Sequence, residues 1–243
     1  FGDYIWTAMM QIRNELATMR WRSNGAWSAP VVVRTTVGGY IQVGLCHSQN
    51  IEGFFSCLPG VYICYPSNAA DAKGLLKQAI RMDDPVLFLE HKGLYRQSYA
   101  MSPEPGDDYL LPFGQAAIKR HGSDATIITY GATVQKSLEV AQKLSDEIEV
   151  IDLRTINPLD MNTIRQSVEK TNRVLVTHED NLTGGFGGEI AALIGEHFFE
   201  ELDAPVRRIA ALDTPIPYNW ELEKAVLPQN EDIETAVRTL VAY

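Results

Sequence analysis

Beyond residue 124 the chain alternates without a break between short apolar runs and amphipathic stretches of helical spacing. No other feature restricts the fold as much. Runs at 125–130, 149–153, 173–177 and 206–211 read as strands, and helical patterns follow at 134–144, 160–170, 188–199 and 232–241. Strands apolar on both faces, each followed by a crossover helix, make a mostly parallel sheet covered on both sides. The earlier half shows the same scheme less regularly. Strands are expected at 31–35, 61–65 and 85–90, with helices at 51–56 and about 67–82. Ile5, Trp6, Met9, Ile12, Leu16 and Met19 recur at helical spacing, so a helix is expected over 5–20, stopped by Ser23-Asn24-Gly25. From 93 to 112 the periodicity fails, and Pro103, Pro105, Pro112 and Asp107-Asp108 mark a linker. Two α/β units follow, 1–107 and 108–243, the second expected to be a self-contained sheet domain. The first is expected to be cut short, because a helical pattern starts at Phe1 with no capping segment before it.

Charge and composition exclude several partners. The chain carries 21 basic against 31 acidic residues, a net charge of −10, without a run of Lys or Arg. Phosphate backbones and anionic membranes are bound by clustered positive charge, so neither nucleic acid nor a membrane surface is the expected partner. No apolar run has the length of a membrane span, and no leader peptide is visible. Cys46, Cys57 and Cys64 lack metal-type spacing and are an odd number, which fits reduced thiols in a cytoplasm or an organelle matrix.

Chemistry is sought in the long stretch after the first strand, RTTVGGYIQVGLCHSQNIEGFF at 34–55. Gly38, Gly39 and Gly44 allow positive φ and close backbone approach, and His47 stands near the end, where Ser48, Gln49 and Asn50 are expected to orient it. A loop histidine bonded to its own turn is the equally weighted alternative. Cys46 beside His47 is not read as a nucleophile pair, since adjacent side chains point apart. TGGFGGE at 183–189 tempts a dinucleotide reading, but counting from Gly185 and Gly187 puts Ile190 at the third glycine. Close helix–sheet packing or a subunit contact is preferred there. His178-Glu179 is read as structural, and Asp152-Leu153-Arg154 as a buried ion pair or interface contact. Phe1, Tyr4 and Trp6 are read as core, or else as an aromatic face for a flat heterocycle.

Taken together, FGDYIW at 1–6, CHSQ at 46–49, YPSNAADAKGLL at 65–76, DLRTINPLD at 152–160 and HEDNLTGGFGGEI at 178–190 resemble the β subunit of thiamine-diphosphate-dependent 2-oxoacid dehydrogenases. The resemblance covers the whole chain, and the last motif is most like branched-chain or fused α–β members. It implies a transketolase-like α/β fold, a truncated pyrimidine-binding domain followed by a C-terminal parallel-sheet domain. It implies decarboxylation of a 2-oxo acid and transfer of the acyl group to the lipoamide of a dihydrolipoyl acyltransferase. By resemblance Tyr4 stacks on the aminopyrimidine, and His47 serves reductive acylation of the lipoyl group. A structural potassium ion held by Ala29, Val31, Val32, Ala79, Met82 and Asp84 is implied for some members. Diphosphate and magnesium belong to the α part, homodimer contacts are expected, and the isolated chain is expected not to turn over. The family's glutamate that protonates the pyrimidine has no counterpart in this sequence. Sugar transketolases and deoxyxylulose-phosphate synthases share the fold, but would bring further histidines near the loop. A non-catalytic docking fragment is the remaining alternative.

Overall fold

The computed structural model describes residues 1–243. In chain order the regular elements are α1 (Met19–Arg22), β1 (Val32–Val37), α2 (Glu52–Ser56), β2 (Tyr62–Cys64), α3 (Ala69–Ala79) and β3 (Val86–His91). They continue with β4 (Ala117–Arg120), β5 (Ala125–Thr129), α4 (Thr133–Lys143), β6 (Ile148–Asp152), β7 (Thr155–Asn157) and α5 (Met161–Thr171). The last are β8 (Val174–Asn181), α6 (Gly187–His197), β9 (Arg207–Ala211), α7 (Trp220–Val226) and α8 (Asn230–Val241).

They form two sheets, with strand orders β1-β3-β2-β7 and β4-β6-β5-β8-β9. All pairings are parallel except β2 with β7 and β4 with β6. The strands expected at 125–130 and 149–153 become β5 and β6, buried at every position, as a central parallel strand requires. Local chemistry fixes the helix ends. Asp160 accepts from the Thr163 amide at the start of α5, and Asn172 closes that helix at φ +57°.

Three features escape the pattern. β4 (AIKR) is a short, charged strand on a sheet edge, where lysine and arginine discourage further pairing. β7 is three residues long, too short to show a period. It leaves the second unit and adds the last strand of the first sheet, pairing antiparallel with β2. The second unit is therefore not self-contained, contrary to the expectation from the alternation. The opening helix is also not one regular α-helix. It winds as a 3₁₀ segment over Gly2–Ala8, a π segment over Gln11–Leu16 and then α1. Most of its apolar stripe still turns inward, with Ile12 buried and Ile5, Met9 and Leu16 packed on the core, though Trp6 is exposed, while the Thr18 hydroxyl donates to the Asn14 carbonyl inside the ladder.

One hydrophobic core runs through both units. Ile63, Tyr65, Leu87 and Leu89 of the first pack in the same cluster as Ile128, Tyr130, Ile151 and Val176 of the second. Fully burying each such aliphatic side chain is worth about 1.5–3 kcal/mol, so the junction is a main source of stability.

Candidate active site edge

The segment between β1 and α2 follows a path that few residues adopt freely. Gly38 and Gly44 have φ of +87° and +69°, and the non-glycine residues Tyr40 and Gln42 have φ of +63° and +57°. Left-handed backbone at a non-glycine residue costs on the order of 1–3 kcal/mol and persists only where surroundings hold it. Here the second unit does so. Glu179, on β8, accepts from the Gly39 amide at 2.5 Å. The Tyr40 hydroxyl donates to the Pro228 carbonyl at 2.8 Å, and Glu223, on α7, accepts from the Gln42 amide at 3.2 Å. A side chain at Gly44 would collide with the Tyr218 ring, whose Cδ2 would lie 2.4 Å from the added carbon.

This path carries His47 to the first turn of the chain. His47 Nε2 lies 3.4 Å from the Tyr4 hydroxyl, and the Phe1 ring meets the imidazole edge-on at 4.5 Å between centroids. Phe1 and Tyr4 are more than half exposed, at 52% and 57%, so they are not core residues. Trp6 packs on Phe54 and Phe55 instead. The expected orienting role of Ser48, Gln49 and Asn50 is not what the structure shows. Ser48 Oγ is buried without a partner, Gln49 donates to the Leu45 carbonyl, and Asn50 accepts from the Tyr65 hydroxyl. His47 takes its orientation from the aromatic cluster.

Sequence reasoning missed the polar layer around this edge. Lys92 Nζ is buried without a hydrogen-bond partner, 5.4 Å from the centre of the Phe1 ring, and burial pulls its pKa down to about 8. His91 Nε2 pairs with Glu179 at 2.6 Å. Burial drives the Glu179 carboxyl upward, but His91 and the Gly39 amide outweigh it and leave the group below its ordinary value. Burial, with Asp180 adding to it, holds the Glu52 carboxyl well above its ordinary range, and Glu52 accepts from the Tyr130 hydroxyl at 3.1 Å. His91, Lys92 and Glu52 sit in ordinary apolar runs or helix starts, and nothing in their spacing marks them.

The remaining motifs resolve as structure. His178 does not pair with Glu179 as acid and base. Its ring nitrogens have no partner, and burial, with Arg208 nearby, lowers its pKa to about 4. Gly187 lies against that ring and Gly185 against the Asn181 carbonyl, where an added Cβ would lie 2.3 Å from His178 Nε2 and 2.1 Å from the oxygen. The glycine motif thus serves close packing, as expected. Gly185→Ala forces backbone to move, so it is expected to cost about 1–3 kcal/mol, seen as a lower midpoint in denaturant. In Asp152-Leu153-Arg154 the two charged side chains do not pair with each other: Arg154 reaches across to Asp71 on α3 at 2.8 Å, and Asp152 faces Lys119 at 3.9 Å.

The six positions implied for potassium meet where β1 and β3 begin. The Ala29 amide donates to the Asp83 carbonyl, and the Val31 carbonyl accepts from Val86. Ala29, Ala79 and Val31 carbonyls already accept backbone amides, and the Asp84 carboxylate is committed to Arg20 at 2.6 Å. Each of these carbonyls keeps a second lone pair, so the potassium site stays what the resemblance implies. No group of three or more His, Cys, Asp or Glu side chains is arranged to hold a metal. The exposed Tyr4 edge, in contrast, suits a flat aromatic heterocycle. A cleft between Arg13, Trp21, Gly60 and Asp84 shares no residue with that edge.

Comparison with known proteins bears on the family and the fold. Residues 1–98 match the pyrimidine-binding domain of transketolase, and residues 114–233 match the transketolase C-terminal domain. A split-gene transketolase, described as an inactive β4 tetramer, superposes over all of this chain and 74% of its own, with a TM-score of 0.78 at 21% identity. That likeness speaks to the fold alone. The chain is thus a transketolase-like pair of domains, of the kind found in thiamine-diphosphate enzymes. It is 44% identical to the 2-oxoisovalerate dehydrogenase subunit beta of Bacillus subtilis, over 100% of this chain and 75% of that protein. It is 41% identical to the pyruvate dehydrogenase E1 component subunit beta of the same organism, over 99% of this chain and 74% of that one. A Staphylococcus aureus counterpart of the latter is 40% identical over the same shares. The chain belongs to the family of β subunits of the first component of branched-chain and pyruvate-type 2-oxoacid dehydrogenases.

Proposed function

We propose that this chain forms, with an α partner, a 2-oxoacid dehydrogenase that decarboxylates a 2-oxo acid and passes the acyl group to a lipoyl domain on a dihydrolipoyl acyltransferase core. The observation that carries the reading is the convergence of Phe1, Tyr4 and His47 on one open edge, from segments more than forty residues apart. Tyr4 offers its exposed face to the aminopyrimidine of thiamine diphosphate, which when bound supplies the electron sink for decarboxylation. Diphosphate and magnesium are assigned to the α partner.

His47 is assigned proton delivery. When the lipoyl disulfide opens, one sulfur takes the acyl group and the other needs a proton. An imidazole at an exposed edge can meet an incoming lipoyl arm and give up a ring proton, with Tyr4 fixing the ring through Nε2. The exposed Met10, Trp21 and Trp27, at 68–89%, suit contact with a partner subunit better than solvent. No helix is long and apolar enough to cross a membrane, and a cytoplasm or organelle matrix is the proposed setting.

The test is turnover by the complete enzyme, with thiamine diphosphate, magnesium and a lipoyl domain, across a panel of linear and branched 2-oxo acids. Acylation of the lipoyl domain from at least one of them is expected. Failure with every member, while the α partner is bound, would overturn the reading. Tyr4→Ala is expected to raise the cofactor dissociation constant roughly 5–30-fold, about 1–2 kcal/mol of lost stacking, measured by titration calorimetry on the same complex.

A further inference from the structure

The loop that presents His47 is fastened by a carboxylate with no other engagement. Glu223 lies on α7 of the C-terminal domain and is 3% exposed. Both its oxygens accept from the Gln42 amide, each at 3.2 Å, and the amides of Ile41 and Tyr40 bear on the same group. Consecutive backbone amides turned to one side by left-handed residues form an anion-binding concavity, and Tyr40 and Gln42 both have that conformation. Glu223 pairs with no lysine, arginine or histidine. Burial pushes the Glu223 carboxyl above its ordinary range, and the amides of Gln42, Ile41 and Tyr40 work against that rise, so the turn supplies the partners this buried acceptor needs.

We propose that Glu223 is a positioning residue for His47, the C-terminal domain's latch on the turn Tyr40–Gln42. The inference rests on the assignment of His47 to acyl transfer. Glu179 holds the neighbouring Gly39 amide but is also paired with His91, so its removal disturbs the junction at large. Glu223 has no such second partner. Four residues lie between Gln42 and His47, and Gly44, the second of them, is already turned against Tyr218. Releasing the latch lets that segment leave its left-handed path, and His47 moves away from Tyr4. The two domains then act together: the pyrimidine-binding domain carries the histidine, and the C-terminal domain decides where it stands.

The experiment uses the complete enzyme carrying Glu223→Ala, with Glu223→Gln beside it, since glutamine keeps an acceptor oxygen but loses the charge. Two readouts are taken: amide hydrogen exchange of residues 40–42, and lipoyl-domain acylation against dye-coupled oxidation of the 2-oxo acid. Glu223→Ala is expected to speed exchange at 40–42 at least tenfold while β5 and β8 stay protected. It is expected to lower acylation tenfold or more relative to dye-coupled oxidation, with Glu223→Gln between it and the parent. Unchanged exchange at 40–42 overturns the latch. Faster exchange with an unchanged ratio overturns the positioning role if His47→Ala does change the ratio. If His47→Ala also leaves the ratio unchanged, the assignment of His47 is what fails, and the latch proposal falls with it. Should Glu223→Ala loosen β5 and β8 as well, Glu223→Gln decides, and a native exchange pattern there with an unchanged ratio overturns the proposal.

Discussion

Replacing His47 by alanine in the complete enzyme is expected to lower lipoamide-dependent turnover by roughly 10²–10⁴-fold while dye-coupled oxidation stays near the parent level. Decarboxylation draws on contacts to cofactor and substrate, and an artificial acceptor can oxidise the product of that step without a lipoyl arm. Acyl transfer adds a demand the dye does not make, a proton at the departing sulfur. General acid catalysis by a placed side chain is worth about that factor, some 3–5 kcal/mol of barrier. His47 stands at an exposed edge, within reach of an incoming arm, and the Tyr4 hydroxyl holds its ring through Nε2. Phe1 meets it edge-on and limits its rotation. Stopped-flow acylation of a lipoyl domain and dye reduction, run on one preparation, measure the two steps. Equal losses in both would move His47 to substrate binding or decarboxylation. No loss in either would leave it a loop histidine held by aromatic contacts.

What the sequence made legible follows the range of the forces involved. The alternation beyond residue 124 is a local pattern repeated four times, and every strand and helix it implied is present. β7 could not be read, because three residues carry no period and its partner β2 lies some ninety residues earlier. The glycine loop and His47 were legible as backbone freedom beside a titratable side chain. The identity of what holds them was not. Ser48 and Gln49 were the near candidates, yet the holding groups are Tyr4 on the first turn and Glu179 and Glu223 in the other domain. Glu223 belongs to the acidic first turn of a short helix, where a glutamate is usual and exposed. Only its burial sets it apart, and burial is a property of the fold. Asp152 and Arg154 stand at a strand end and were legible as a charged pair, but Asp71, the carboxylate Arg154 grips, lies eighty-three residues away.

That grip carries the largest stability effect expected of one substitution. Asp71 starts α3 and is 3% exposed, with Arg154 on it in a two-pronged contact, Nη2 to Oδ1 at 2.8 Å and Nε to Oδ2 at 3.0 Å. Lys119 approaches at 3.3 Å and Asn68 donates at 2.7 Å. Burial pushes the Asp71 carboxyl upward, but Lys119 and Arg154 outweigh it and keep the group ionised below its ordinary range. The second carboxylate of the cluster, Asp152, accepts from the Ser67 hydroxyl at 2.5 Å, and burial raises it to about 6. Asp152 is therefore the poorer counter-ion in mildly acid solution, and Asp71 carries most of the neutralisation. Asp71→Ala leaves Arg154 facing a gap at the junction of the two sheets. Removing one partner of a buried pair costs about 3–5 kcal/mol, because the other charge stays desolvated. Denaturant titration at neutral pH should show that loss as a lower midpoint. Tryptophan fluorescence, from Trp6, Trp21 and Trp27 in the first unit and Trp220 in the second, and far-ultraviolet dichroism should show transitions that shift together if the junction is what weakened. Adding Arg154→Met to Asp71→Ala should recover a good part of the loss, since an apolar pair of similar volume needs no counter-ion. A loss under about 1 kcal/mol for Asp71→Ala would mean that water reaches Arg154 and Lys119, and that the two domains are held by their shared apolar core rather than by this pair.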